Sequence, residues 1–147
     1  MRLKIACRWV LAAGLATFAA GAWAEDVGQI KVLSGTVQLK RGEQSLPVKV
    51  GSAVQQSDTI VTGADGSVGV TFTDNSLLSV GPNSVLAIDR YAFDSTTHAG
   101  QFDASLRKGT LAVVSGKMVK QTPGTMRVHT PTSIMGVRGT EFAVRVD

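Results

Sequence analysis

Polar and apolar residues alternate along most of the chain after Gly28, and Gly, Pro, Asp or Asn interrupts the alternation at short intervals. An alternation with a period of two and frequent turn residues is typical of short β-strands. We therefore predict strands over residues 28–33, 36–40, 46–50, 59–62, 67–73, 77–80, 85–91, 101–106, 110–115, 126–130 and 140–146.

The alternation is clearest at one predicted hairpin. Val68, Val70 and Phe72 share one face of their strand, and Asp74 and Asn75 follow as residues that tolerate a left-handed turn. A second alternating run begins directly afterwards, so the two runs should pair as a hairpin.

Two other predicted strands carry positional information. Phe142, Val144 and Val146 share one face of the last strand, which should therefore be half-buried. Pro47 lies inside another strand, and proline has no N–H to donate to a neighbour. We expect the strand of Pro47 to lie at a sheet edge or to carry a bulge.

After Ala24, the chain holds no apolar stripe with helical spacing that is long enough for a stable helix. The fold class is therefore all-β, and many short strands with Gly-rich turns favour a sandwich, a barrel or a solenoid. Because the turn spacing drifts without a repeat, we predict a sandwich of jelly-roll type, with a short β-solenoid as the alternative.

The segment 1–24 has the layout of a secretory signal peptide. A basic start with Arg2, Lys4 and Arg8 precedes an uncharged run from Trp9 to Ala24, which ends in small residues before a cut at Glu25. The run is shorter than the about 20 apolar residues that a helix needs to cross a bilayer. We expect residues 1–24 to be removed, leaving one domain over residues 25–147 with no membrane span.

Removal of that segment changes the charge and the chemistry of the chain. The formal net charge falls from +4 to +1, because three basic residues leave and 12 Lys and Arg remain against 11 Asp and Glu. The one cysteine, Cys7, leaves as well, which excludes disulfides and thiolate chemistry. A charge near zero and few aromatic residues also argue against nucleic-acid binding.

No catalytic constellation can be named from the sequence. His98 and His129 lie far apart in the chain, and the acidic residues are dispersed over turn-like positions. We therefore expect no enzyme, no cofactor and no metal site, and a hydrolase built on a β-sandwich is the least favoured function.

One segment near the C-terminus stands apart because it combines a proline, two glycines and an arginine. Pro131 forces an extended residue before it, and Gly136 and Gly139 permit left-handed backbone angles on either side of Arg138. We interpret Pro131, Gly136 and Gly139 as structural turn residues. Arg138 then either ties neighbouring carbonyls or Glu141 in a structural contact, or stays exposed and binds a partner.

Four ordered blocks of the chain resemble the FecR domain, which is named for the periplasmic regulator of ferric-dicitrate uptake. The blocks are QSDTIVTGADGS at 56–67, VTFTDNSLLSVGPNSVLAI at 70–88, LRKGTLAVVSGK at 106–117 and TPTSIMGVRGTEFAV at 130–144. The resemblance extends over about residues 28–146.

In its sensing members, the resemblance implies a periplasmic domain that receives a signal from a TonB-dependent outer-membrane receptor and relays it across the inner membrane to a sigma factor. Such members carry a cytoplasmic sigma-binding region and a membrane span, and we expect this chain to have neither. Some sensing members also resemble self-cleaving proteins that split a Gly-Thr bond, for which Gly139-Thr140 is a candidate here.

We expect an exported, non-enzymatic domain in the periplasm of a Gram-negative bacterium. Its expected partner is an envelope protein, such as a TonB-dependent receptor or an inner-membrane regulator, or else a glycan. The expected contacts are Arg138, Thr140 and Glu141, with Asp74 and Asn75 of the hairpin as a second patch. The alternative is a structural module that assembles through an exposed sheet edge.

Overall fold

A computed structural model describes residues 25–147, and these fold into twelve β-strands and one short helix. The strands are β1 (Asp26–Ser34), β2 (Val37–Arg41), β3 (Gln44–Pro47), β4 (Ala53–Gln55), β5 (Thr59–Thr62), β6 (Ser67–Phe72), β7 (Leu77–Val80), β8 (Val85–Phe93), β9 (Gly100–Val114), β10 (Met126–His129), β11 (Ile134–Gly136) and β12 (Glu141–Val146). The helix α1 (Lys117–Gln121) lies between β9 and β10.

The strands form two layers that share β9. The first layer has the order β4-β1-β6-β7-β9-β12, and the second has the order β3-β2-β5-β8-β9-β10-β11. Neighbouring strands are antiparallel except β9 and β10, which are parallel. The result is a curled sheet with a sandwich-like interior, which confirms the all-β, sandwich-like prediction.

β9 passes from one layer to the other at Gly109. The strand pairs with β8 up to Lys108, and from Gly109 onward it pairs with β12. Gly109 has a φ of +93°, and a Cβ atom at this position would overlap Ser84. Only glycine meets both conditions, so the bend that joins the layers depends on this residue.

The core consists of the inward-facing side chains, which occur at every second position of the strands. An aromatic cluster lies at its centre. The ring centroid of Phe102 is 4.7 Å from that of Phe72 and 5.0 Å from that of Tyr91. Burying one such side chain contributes about 1.5–3 kcal/mol to stability. The largest fully buried side chains are Phe102, Ile30, Ile60, Leu78, Leu86, Ile88, Leu106, Leu111, Met118, Met126, Val54 and Val70.

The predicted hairpin is confirmed as β6 and β7. Val68, Val70 and Phe72 are all buried, and Asn75 takes the left-handed conformation with a φ of +67°. The last strand is also confirmed as half-buried, since every second residue of β12 is exposed. Pro47 lies in β3, which is an edge strand of the second layer.

Several boundaries were predicted wrongly. The runs 101–106 and 110–115 belong to one continuous strand, β9, because Gly109 bends the chain without ending the pairing. The short strands β4 and β11 were missed, since three residues are too few to show an alternation. Helix α1 has only five residues, of which Met118 and Val119 are buried.

The predicted signal peptide, residues 1–24, lies outside the described residues. Within residues 25–147, no helix is both long enough and apolar enough to span a membrane.

Candidate partner-binding surface

The predicted contact residues lie in or beside a short connection between β11 and β12, residues 137–140, which we call the Arg138 link. Its first residue, Val137, is buried, and its backbone N–H donates a hydrogen bond of 2.9 Å to the carbonyl of Met126. The carbonyl of Val137 accepts a hydrogen bond of 3.0 Å from the N–H of Gly124. The link is therefore fixed to β10 and to the turn before it.

Ser115 holds the other end of the Arg138 link. Its hydroxyl donates to the carbonyl of Gly139 at 2.7 Å, and its backbone N–H donates to the carbonyl of Thr140 at 2.7 Å. Ser115 is buried directly after β9, so the link is tied to the strand that joins the two layers. This anchoring role was not predicted from the sequence.

Arg138 lies between these two anchors and is exposed. Among the residues that the structure describes, its side chain has no hydrogen bond and no ion pair. The expected structural contact with Glu141 or with neighbouring carbonyls is therefore absent there. Thr140 and Glu141 are exposed beside it, so all three predicted contact residues are accessible on one edge of the domain.

The glycines that flank the link do not have the expected backbone conformation. Neither Gly136 nor Gly139 has a positive φ. The interpretation of a left-handed turn on each side of Arg138 was therefore wrong, because hydrogen bonds to Gly124, Met126 and Ser115 shape the link instead. Gly136 is the last residue of β11.

Pro131 lies in the connection between β10 and β11, where a turn was expected. Thr130 and Ser133 close this turn, since the N–H of Thr130 donates to the carbonyl of Ser133 at 2.8 Å. The Thr130 hydroxyl also accepts a hydrogen bond of 3.0 Å from the N–H of Ser133. These bonds hold the two strands in an antiparallel pair.

The second predicted patch is only partly exposed. Asn75 is exposed, but Asp74 is buried, with 1% of its surface accessible. Its carboxylate accepts hydrogen bonds from the N–H and the hydroxyl of Ser76, at 3.0 and 2.7 Å. The Tyr91 hydroxyl donates a third at 3.3 Å. Asp74 is therefore a structural residue, and the expectation that it contacts a partner was wrong.

The same network affects the chemistry of Tyr91. Burial of the side chain is the main cause that raises the pKa of the Tyr91 hydroxyl, to about 12, and the nearby charge of Asp74 acts in the same direction. The hydroxyl also accepts a hydrogen bond of 3.0 Å from the N–H of Asp74. Tyr91 therefore stays neutral and locks the β6–β7 turn onto β8.

The elements that hold the Arg138 link carry further positive charge. Arg127 is exposed and pairs with Gly136, while Lys117 and Lys120 are exposed on α1, which begins just after Ser115. The acidic residues in this region are Glu141, at the start of β12, and half-buried Asp103, which lies opposite Arg127 in the β9–β10 pair. The elements beside the two anchors of the Arg138 link therefore carry more positive than negative charge.

The histidines do not come together into a site. His98 lies in a loop and its ring stacks on Phe93 at 6.0 Å, whereas the Nε2 atom of His129 lies 3.9 Å from the carboxylate of Asp103. Within residues 25–147, no group of three or more His, Cys, Asp or Glu residues is arranged to hold a metal ion.

The candidate cleavage bond, Gly139-Thr140, lies within the Arg138 link. The Gly139 carbonyl accepts the hydrogen bond from Ser115, and Gly139 has no left-handed strain. The strained turn that would favour an acyl shift is therefore absent at this bond. Self-cleavage stays a prediction, which the presence of a fragment ending at Gly139 in an intact mass spectrum would test.

The fold and this surface define an all-β, sandwich-like domain that presents an exposed arginine at one edge. The family model described as FecR protein matches residues 58–147, which is more than half of the chain. The chain belongs to the FecR family, and the predicted resemblance is confirmed. The match begins at Asp58, later in the chain than the resemblance suggested.

Searches of curated proteins and of solved structures give no significant match. The family itself is regulatory and non-enzymatic, and its domains are generally periplasmic and interact with other envelope signalling proteins. Family membership thus relates this domain to signalling regulators.

Proposed function

We propose that this protein is an exported periplasmic domain that binds an acidic segment of another envelope protein through Arg138, as an accessory to cell-surface signalling. The proposal rests on one observation, the exposure of the Arg138 side chain on an anchored backbone. Arg138 is exposed and without a partner among the described residues, and its backbone is anchored on both sides.

The chemistry of arginine suits this role. A guanidinium group presents a planar set of donors that fits a carboxylate with two parallel hydrogen bonds. Because buried Val137 and Ser115 already hold the link, binding orders little backbone, and less conformational entropy is lost. The positive charges of Arg127 on β10 and of Lys117 and Lys120 on α1, the elements beside the two anchors, would attract an acidic segment from a distance.

Export is supported by the segment 1–24, with its basic start, its apolar run and the alanines before Glu25. A periplasmic location in a Gram-negative cell offers two classes of protein partner, a TonB-dependent receptor or an inner-membrane regulator. A glycan that carries carboxylates would present the same chemistry to Arg138.

The test is crosslinked affinity capture of the tagged protein from the periplasm of its own host, read by mass spectrometry. We expect the wild-type chain to enrich an envelope protein and Arg138→Ala to lose most of that enrichment. The matched control is Arg107→Ala, which removes an exposed arginine from β9, eight positions before Ser115. This spacing corresponds to about 26 Å along a strand.

The melting temperature separates recognition from a structural role. Because Arg138 has no described contact, Arg138→Ala should leave the melting temperature nearly unchanged. Equal capture by wild type, Arg138→Ala and Arg107→Ala would contradict the proposal, as would a fall of many degrees in the Arg138 variant.

A second candidate function is a structural module that assembles through a sheet edge. It is favoured by one observation, the open edge of β12, which pairs on one side with β9 and on the other with none of the described strands. No observation in residues 25–147 favours the hydrolase.

A further inference from the structure

At the open edge of β12, only every second residue points its backbone N–H and carbonyl groups outward. The N–H of Ser115 donates to the carbonyl of Thr140, so these two residues form a hydrogen-bonded pair of the β9–β12 ladder. In an antiparallel ladder this pairing alternates along the strand. Residues 142, 144 and 146 therefore bond to β9, and residues 141, 143 and 145 point their N–H and carbonyl groups outward.

The side chains of β12 are ordered symmetrically about Ala143. The strand runs Glu141, Phe142, Ala143, Val144, Arg145, with an acid and a base at equal distances from the centre and an apolar residue on each side of it. An antiparallel copy of such a strand presents Arg145 opposite Glu141 and Val144 opposite Phe142.

From these two observations we propose that two copies of this chain pair edge to edge through β12, antiparallel, with the two-fold axis at Ala143. Three outward-facing residues of each copy then exchange backbone hydrogen bonds, which continues the first layer across both molecules. Each Glu141 lies opposite Arg145 of the second copy, so the charge pair forms twice.

The apolar residues support the same register. Phe142 and Val144 are half-buried on the inner side of β12, where they pack against the core. In the paired edge, Phe142 of one copy lies beside Val144 of the other, and aromatic residues pair favourably with β-branched ones across strands.

Other registers lose the charge match. An axis halfway between two residues shifts the second strand by one residue. It would place an inward-facing apolar residue of one copy opposite an outward-facing residue of the other, which the alternation of side chains excludes. Moving the axis by one residue places Glu141 opposite either Ala143 or Asp147 of the second copy. In the single chain, Arg145 contacts Asp147 at 3.1 Å, but both side chains are largely exposed, so this pair contributes little and exchanges readily.

Pairing through β12 is independent of binding through Arg138, and it gives the second candidate function a definite partner, a second copy of the chain. The paired stretch covers residues 141–145, and Arg138 lies outside it, so a dimer can keep its guanidinium accessible. Arg145→Glu, at a residue outside the predicted partner contacts, should weaken self-association and leave capture through Arg138 intact, and Arg138→Ala should leave self-association intact.

The experiment measures self-association by sedimentation equilibrium over a range of concentrations, with the protein produced from the full chain. The variants are Glu141→Lys, Arg145→Glu, the two combined in one chain, and an equal mixture of the two single variants. Lys40→Glu is the control, because it inverts an exposed charge on β2, which pairs with β3 and β5 in the other layer.

We expect the wild type and the control to dimerise, and each single variant to dimerise roughly tenfold more weakly or worse, because two attractive pairs become two repulsive ones. The combined variant restores both pairs within one kind of chain. In the mixture, a mixed dimer carries one Lys–Glu contact and one Arg–Glu contact, so mixing the two single variants should restore association.

Three results would overturn the proposal. A monomer at all concentrations of wild type excludes the pairing. A dimer that is indifferent to the single inversions excludes this register. A combined variant that stays as weak as the single variants, or a mixture that associates no better than either single variant, excludes the antiparallel arrangement about Ala143.

Discussion

Arg138 owes its accessibility to residues that are not charged. Val137 is buried and Ser115 bonds to two successive carbonyls of the link, so the backbone around the arginine is determined by an apolar contact and a hydroxyl. A side chain that contributes nothing to holding the link is free to serve recognition. In the proposed function, different residues therefore carry binding and stability.

Tyr91 gives a prediction at the same scale. Burial raises the pKa of its hydroxyl to about 12, above the ordinary value near 10. The folded protein thus holds this proton more tightly than the unfolded chain. The corresponding stability, roughly 1–2 kcal/mol after allowance for solvent screening, is fully present below about pH 10 and is lost as the pH rises from there toward 12.

The measurement is direct because Tyr91 is the only tyrosine in the chain. Phenolate absorbance should titrate near pH 12 in the folded protein and near pH 10 in denaturant. Tyr91→Phe should lose stability less steeply than wild type over this window. A folded-state titration at the ordinary tyrosine value would show that the hydroxyl is not protected as described.

At the scale of elements, β9 decides how the two layers are joined. Its passage from one layer to the other depends on Gly109, which has both a positive φ and no room for a Cβ atom. Gly124 is a matched comparison, with a φ of +88° but open space around it.

Alanine substitution should therefore separate the two requirements. Gly124→Ala carries only the cost of a left-handed backbone, about 1–2 kcal/mol. Gly109→Ala carries that cost and an overlap with Ser84, so we expect a loss of about 3 kcal/mol or more in the free energy of unfolding. Urea denaturation of both variants checks this, and equal losses would mean that the bend tolerates a side chain.

The β6–β7 hairpin shows how far sequence patterns reach at this scale. Its strands were predictable because every second residue is apolar and the turn residues follow directly. The burial of Asp74 was not predictable, because it depends on Tyr91, which lies on a different strand. The local sequence is the same whether a turn aspartate bonds only within its turn or also to a distant hydroxyl. It therefore cannot predict which of the two occurs.

The Arg138 link shows a similar limit. The sequence identifies Arg138, Thr140 and Glu141, but whether Arg138 pairs with Glu141 depends on how β10, β11 and β12 come together. One signal for the missed anchor was available. Ser115 follows Val113 in the inward phase of its strand, and a polar residue in a buried position needs hydrogen-bond partners.

For the whole molecule, membership of the FecR family and the sandwich-like fold agree with what the sequence predicted. The domain carries its four FecR-like blocks on strands of both layers, and the block at 130–144 alone contributes the Arg138 link and most of β12. The central claim is that this edge recognises an acidic segment of an envelope partner.

Site-specific photocrosslinking in the native host tests that claim most directly. A photoreactive amino acid is placed at Thr140 in one variant and at Arg107 in another, both of which are exposed. We predict that the probe at Thr140 gives an adduct with a segment of an envelope protein that is rich in Asp and Glu, and that the probe at Arg107 does not. Equal labelling from both positions, or adducts from Thr140 that contain no acidic segment, would contradict the account.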